Sequence, residues 1–252
     1  MKIDLHLHSS ERSSCGKSPE NEMLAAACRF GLDAVVFTEH NRLVDRGHLE
    51  ALNARFAPLR VFGGIEISVT LHDHCLVLGL DDDELQNRSW RYPDLVKFVR
   101  EREGWIAVCH PFRMMDDIPF AIHAHVPDGI ELHSVHTGAD DCERIARIAS
   151  EFGITPVANS DAHFAPFVGI FYNEIPGAPE NDRDLVAALR EGPVTPCSDA
   201  SRVGILNRMI DEREVTIRKF VDRHMGVSEF CAITGMSAAH FDRVKRGKSF
   251  RV

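Results

Sequence analysis

The stretch Ile3-Asp4-Leu5-His6-Leu7-His8 alternates apolar and titratable residues with a period of two. A β-strand with that pattern presents Asp4, His6 and His8 on one face. The habit recurs downstream. Strands are predicted over 34–38, 60–67, 74–80, 105–109, 129–133, 155–159 and 168–174. Their ends carry Glu39-His40, Glu66, His74, His110-Pro111, Glu131-Leu132-His133 and Asp161-Ala162-His163. Between them, helical patterns cover 19–30 (Ser18 as N-cap, Pro19 at the first position), 47–55, 92–103, 141–152 and 182–191. Such alternation predicts a parallel α/β fold. In a barrel all strand C-termini open on one mouth, where residues from many strands converge, whereas an open sheet has no use for titratable groups at nearly every strand end. The expected fold is therefore a TIM-like barrel over residues 1–200 with a small helical C-terminal extension, 201–252.

Composition sets the outer bounds. The 252 residues are 44% hydrophobic and 27% charged, ordinary for a globular chain. No apolar run approaches the ~20 residues that span a bilayer, and no basic region followed by an apolar stretch opens the chain. Seven cysteines, odd in number and without close pairs, argue against a disulfide framework and for a reducing compartment. The expectation is a soluble cytoplasmic protein with no membrane partner; composition leaves its oligomeric state open. The net charge of −9 is uneven, because residues 202–252 carry 11 basic and 6 acidic side chains and the remainder is at −14. An acidic body repels a phosphorylated substrate unless bound cations reverse the local sign.

Fourteen histidines supply candidate ligands for such cations. Neutral imidazoles bind zinc, manganese or iron, and carboxylates can bridge two ions. His6-x-His8 alone is weak evidence; joined to Glu66, His74, His110 and Asp161-x-His163 at strand ends, it becomes specific. In their order, Asp4-Leu5-His6-Leu7-His8-Ser9, Thr38-Glu39-His40-Asn41, Gly64-Ile65-Glu66, His110-Pro111-Phe112 and Asn159-Ser160-Asp161-Ala162-His163 resemble the motifs of the PHP (polymerase and histidinol phosphatase) family over about residues 1–200.

The resemblance implies a distorted (β/α)7 barrel, two or three divalent ions, and hydrolysis of a phosphate ester by a metal-bridging hydroxide. Carried over, the pattern gives His6, His8, Glu66 and Asp161 to a first ion. Glu66 bridges to a second held by His74 and His110. His72 is an alternative to His74, which is preferred because Leu76-Val77-Leu78-Gly79 follows it as in the family. A third ion takes His40 and His163, with Glu11 preferred over Cys15. A hard carboxylate suits manganese or iron, and Cys15 would favour zinc. Glu66, Asp161, His163 and Arg113 are the catalytic candidates. Arg12, Arg42 and Arg113 are candidates for gripping phosphate oxygens.

Other residues carry plainer readings. Asp4 is expected to orient a ligand histidine and Glu39 to accept buried hydrogen bonds. Glu131 and His133 are read as non-ligands, and His48, His123, His125, His136 and His224 as surface or loop residues. Cys28 and Cys109 are expected to pack. Two Trp and two Tyr favour a small phosphate or nucleotide substrate over a long polynucleotide. The competing class is a metal-dependent amidohydrolase, but no Lys falls at a strand end to bridge its metals. In the extension, 203–224 reads as a helix with one apolar face. Val227–Ser237, with a turn at Gly235, and Phe241–Lys248 look like a helix-turn-helix core. DNA binding through Arg243, Lys245, Arg246 and Lys248 is the weaker reading there, and a packing appendage the stronger.

Overall fold

The computed structural model describes residues 1–70, 73–113, 116–118, 120–236 and 238–252, so His72 and Ser237 lie outside the described residues. Its strands are β1 (Lys2–Leu7), β2 (Ala34–Phe37), β3 (Arg60–Ser68), β4 (His74–Leu78), β5 (Trp105–Val108), β6 (Gly129–His133), β7 (Thr155–Ala158), β8 (Phe171–Glu174) and β9 (Thr195–Ser198). They form one sheet in the order β7-β6-β5-β4-β3-β2-β1-β8-β9. β1, β2 and β3 run parallel, as do β5, β6 and β7. β4 is antiparallel to both neighbours. That inversion explains why His74, the first residue of its strand, shares a mouth with residues at the ends of other strands: it pairs with Ser68, the last residue of β3.

The sheet is nearly closed, and a side chain spans the gap. Asn173 on β8 accepts from the Ala158 N–H (2.8 Å) and donates to the Ala158 carbonyl (2.8 Å), imitating a strand partner for β7. Just beyond β7, the His8 N–H donates to the Ala162 carbonyl at 3.0 Å, tying the two metal-motif segments together.

The helices are α1 (Glu20–Arg29), α2 (Arg46–Phe56), α3 (Glu84–Asn87), α4 (Tyr92–Glu101), α5 (Ala139–Phe152), α6 (Asp182–Glu191), α7 (Ala200–Asp222), α8 (Val227–Thr234) and α9 (Ala238–Lys245). Apolar residues of α1 and α2 pack on Val35, Phe37 and Val61. Those of α4 and α5 pack on Ile65, Val77 and Ile106. Leu185, Val186 and Leu189 of α6 join Leu5, Leu76 and Trp105 in a third core. Gly129 is required there, since a Cβ would stand 2.4 Å from the Trp105 ring. α7 links two packing regions: Leu206 meets Ala158 and Phe171 of the barrel, while Ile217 meets Phe230, Phe241 and Val244 of the extension. No helix among the described residues is long and apolar enough to cross a membrane.

Several expectations need correction. Ser18 does not cap α1; its hydroxyl accepts from the Ala165 N–H. The strand expected over 168–174 begins only at Phe171, after a short 3-10 turn at Ala165–Phe167. Thr195-Pro196-Cys197-Ser198 forms an unanticipated strand, its proline tolerated because β9 ends the sheet order. Cys28 is exposed on α1, whereas Cys109 is buried as expected.

Candidate metal centre

The alternation of β1 delivers His6 and His8 together, both fully buried, with their Nε2 atoms 3.0 Å apart. Glu66 arrives from β3 and Asp161 from the loop after β7. Glu66 Oε2 lies 3.4 Å from His6 Nε2 and 3.2 Å from His8 Nε2; Asp161 Oδ1 lies 3.4 and 3.3 Å from the same two atoms. Ligands bound at 2.0–2.2 Å to one ion stand about 3.0 Å apart at right angles and about 3.4 Å apart at tetrahedral angles. The four atoms are thus spaced as the corners of one coordination shell. Glu66 Oε2 and both Asp161 oxygens are buried without any hydrogen bond of acceptable geometry. Buried carboxylate oxygens rarely go unsatisfied, and a divalent cation is the partner this donor set fits.

The second oxygen of Glu66 faces the other way. Oε1 lies 2.8 Å from His74 Nδ1 and 3.1 Å from His110 Nε2, so one carboxylate serves two groups of imidazoles. A third group gathers His8, His40 and His163, whose ring nitrogens lie within 4.8 Å of one another. His8 stacks on both, with centroids 4.4 and 4.3 Å away. Cys15 stands beside this group, close enough to His163 and His40 to bear on the charge of both. Glu11 does not reach it. Both Glu11 oxygens accept from the Glu20 N–H (3.1 and 3.0 Å) at the start of α1, where Pro19 and Ser18 provide no side-chain cap. An orphan helix N–H and the positive end of the helix dipole hold the carboxylate there.

Outer residues fix the ligands. Glu131 is buried; its Oε1 accepts from His6 Nδ1 (2.7 Å) and from Asn159 (2.8 Å), and its Oε2 accepts from the His110 N–H (2.7 Å). It orients the His6 ring. Asp4 accepts from the backbone N–H groups of His6 (3.3 Å), Ser160 and Gly169, so it steadies both the His6 backbone and the Asp161 loop, and burial raises its pKa to about 6. Glu39 accepts from Ser9 and Ser13, as read from sequence. Both His110 (φ 26°) and Asp161 (φ 48°) hold left-handed backbone conformations. Such strain in non-glycine residues gathers where the surroundings over-determine a functional geometry.

The arginines divide. Arg113 Nη1 stands 3.9 Å from Asp161 Oδ2, at the rim of the cluster. Arg12 is turned to Glu20 (2.6 Å) and Glu39 (3.4 Å), and Arg42 is exposed with no ion pair among the described residues. The helix-start carboxylate Glu20 outcompetes the mouth for Arg12, and Glu20 also takes His48 at 2.8 Å. His136, read from sequence as a surface residue, belongs to the site: its Nε2 lies 3.5 Å from Asp161 Oδ2. Its position three residues beyond the end of β6 was the available signal. His133 turns away, with Nδ1 3.4 Å from Cys142 Sγ.

Charge follows geometry. Burial would depress His6, but Asp161, Glu131 and Glu66 outweigh it and hold the ring well above its ordinary pKa. Burial likewise opposes His40, yet the neighbouring Cys15 and Glu66 raise it to about 10. His163 is raised in the same way, by Cys15 and Asp161. Burial would raise Glu66 and Asp161; the surrounding imidazoles keep both well below the usual carboxylate range. A cation entering this cluster must displace imidazole protons, because only the neutral ring ligates. Apparent affinity for a divalent ion is therefore expected to rise with pH from 6.5 toward about 10, the His40 value. Each displaced proton should contribute roughly tenfold per unit. Proton release in weak buffer, measured alongside metal titrations at two pH values, checks the sign.

A nearly closed α/β barrel with histidines and carboxylates gathered at one mouth defines a metal-binding barrel. Residues 139–194 match the PHP-associated family (PHP_C). No curated protein sequence matches the chain. Among solved structures, PsfC from Pseudomonas syringae is 18% identical with a TM-score of 0.61, covering 82% of this chain and 96% of its own. A two-domain protein from Bacteroides vulgatus, containing a predicted PHP-like metal-dependent phosphoesterase, is 17% identical with a TM-score of 0.59, covering 79% of this chain and 64% of its own. The lesion-specific endonuclease EndoQ from Pyrococcus furiosus is 15% identical with a TM-score of 0.56, covering 77% and 57%. In fold the chain is similar to these structures, and residues 139–194 add the match to a PHP-associated segment.

Proposed function

We propose that this protein hydrolyses a small phosphate ester with the help of two or three divalent ions. The observation that carries the reading is the spacing of His6 Nε2, His8 Nε2, Glu66 Oε2 and Asp161 Oδ1 as a single coordination shell. His6, His8, Glu66 and Asp161 hold the first ion; Glu66, His74 and His110 hold the second; His40, His163 and Cys15 hold the third. Bound there, the ions supply Lewis acidity and lower the pKa of water. Arg113, beside Asp161, is placed to grip a phosphoryl oxygen with its planar fork. Burial and the Arg113 charge depress His136 well below its ordinary pKa, so it stays neutral and can hydrogen bond to the ester or the attacking water. Glu131 keeps the His6 ring in register throughout.

The test is metal analysis of the purified chain, with phosphomonoesters and phosphodiesters assayed under added Mn, Fe or Zn, and amides and lactones in parallel. Turnover of at least one phosphate ester, abolished by a strong chelator, is expected. Amide or lactone turnover without ester turnover would replace the reading with an amidohydrolase.

Cys15 gives the third site a separate readout. A cobalt-loaded protein should show thiolate-to-metal charge transfer in the near ultraviolet, lost in Cys15→Ser and kept in Glu11→Ala. Glu11→Ala should cost about 1 kcal/mol of stability as a lost helix cap and leave metal content intact. A cobalt spectrum indifferent to Cys15→Ser would remove Cys15 from the ligand set.

A further inference from the structure

A cavity of about 370 Å³ lies between the barrel mouth and the C-terminal extension. Its near wall is the rim of the metal centre. His136 lines it, Phe164 follows His163 directly in the chain, and the Lys17 N–H donates to the His163 carbonyl at 2.7 Å. Its far wall is the extension, with Met209 and Arg213 from α7 and His240 from α9. His136 both lines the cavity and lies 3.5 Å from Asp161, so cluster and cavity adjoin.

The lining is unusual for a surface beside so many charges. Phe164 is 42% exposed and Met209 53% exposed, and Phe164 stands edge-on to Phe167, with centroids 6.0 Å apart. Large apolar side chains left open beside a polar centre mark a ligand contact. The volume is at the low end of the ~300–1,000 Å³ range of small-molecule sites, enough for one ring system and its linker and too little for a polynucleotide.

We propose that the extension completes the substrate pocket, and that the ester cleaved is that of a compact alcohol bearing a flat apolar ring, up to the size of a nucleoside. This inference rests on the phosphoesterase reading. The phosphoryl group sits at the ligand cluster and the ring lies against Phe164 and Met209. In the reaction the oxygen of one water bonds to phosphorus, the bond from phosphorus to the alcohol oxygen breaks, and a water proton goes to that oxygen. The products are phosphate and the free alcohol.

The test uses the full, metal-loaded chain. Hydrolysis of phenyl phosphate is compared with that of glycerol phosphate, and calorimetric binding of phenylphosphonate with that of methylphosphonate. The ring-bearing member should be preferred roughly tenfold in each pair, one apolar contact surface being worth that much. Met209→Glu, at an exposed position, and Phe164→Ala should each bring both ratios close to one while metal content stays the same. Ester turnover with ratios indifferent to both variants would overturn the pocket and leave the phosphoesterase reading standing. Absence of ester turnover, with phosphonate selectivity still lost in Met209→Glu, would overturn the hydrolysis and leave the pocket.

Discussion

Glu66→Gln is expected to empty two metal positions at once and to lower ester turnover by about three orders of magnitude or more, since the charge shared by both ions disappears. Glu66 is buried and each of its oxygens faces a different set of imidazoles: Oε2 toward His6, His8 and His40, and Oε1 toward His74 and His110. The amide of glutamine keeps the shape, but it aims a nitrogen donor at one of those sets. It also removes the anion that holds imidazoles on both sides. His40→Ala is the informative contrast. It should reduce turnover while two ions remain, because His6, His8, Asp161, His74 and His110 are untouched. Metal counted per chain in the two variants separates the cases. Loss of one ion only in Glu66→Gln would show that the carboxylate does not bridge, and loss of all metal in His40→Ala would show that the third group is not independent.

The cluster of histidines and carboxylates was legible because strand periodicity is a local property. His6 and His8 must share a face wherever β1 lies, and each remaining member of the cluster stands at or near a strand end whose position the α/β alternation sets. What could not be read were competitions settled in space. Glu11 and Cys15 occupy one loop, and the first N–H of α1 takes the Glu11 carboxylate, a bond that nothing in the loop itself announces. Arg12 has the sequence position of a phosphate ligand, but Glu20 and Glu39 converge on it from two elements. His136 was hidden for a different reason. It lies in a loop with no periodicity, and only the folded chain carries it to Asp161. The closing of the barrel through Asn173 is likewise invisible in sequence, because a side chain does the work of a strand.

The helix-turn-helix pattern of the tail forms locally, with most of its cations turned toward the barrel. α8, Gly235 in the left-handed conformation and α9 form as the pattern suggests. Their cations, however, are largely committed to the barrel. Arg243 is 4% exposed, with Nη2 3.1 Å from Asp141 on α5 and Nε donating to the Ser249 carbonyl. Arg246 and Lys248 both pair with Asp116. Arg243→Met is therefore expected to destabilise the protein by about 3–5 kcal/mol, because it leaves the Asp141 carboxylate partly buried without its partner. For a chain of this size that lowers the thermal midpoint by on the order of 10 °C. Adding Asp141→Leu should recover most of the loss, since an apolar pair can replace a buried ionic one at little cost. Arg251→Ala, which breaks the exposed pair with Asp211 (3.2 Å), should change stability by less than about 1 kcal/mol. A duplex-DNA anisotropy titration at low salt should show no binding by the intact chain. Binding that weakened steeply with salt, together with an Arg243→Met variant as stable as the parent, would return the tail to nucleic-acid recognition. Melting curves of the four proteins decide whether α8 and α9 are held as part of the barrel's packing or as a separable reader.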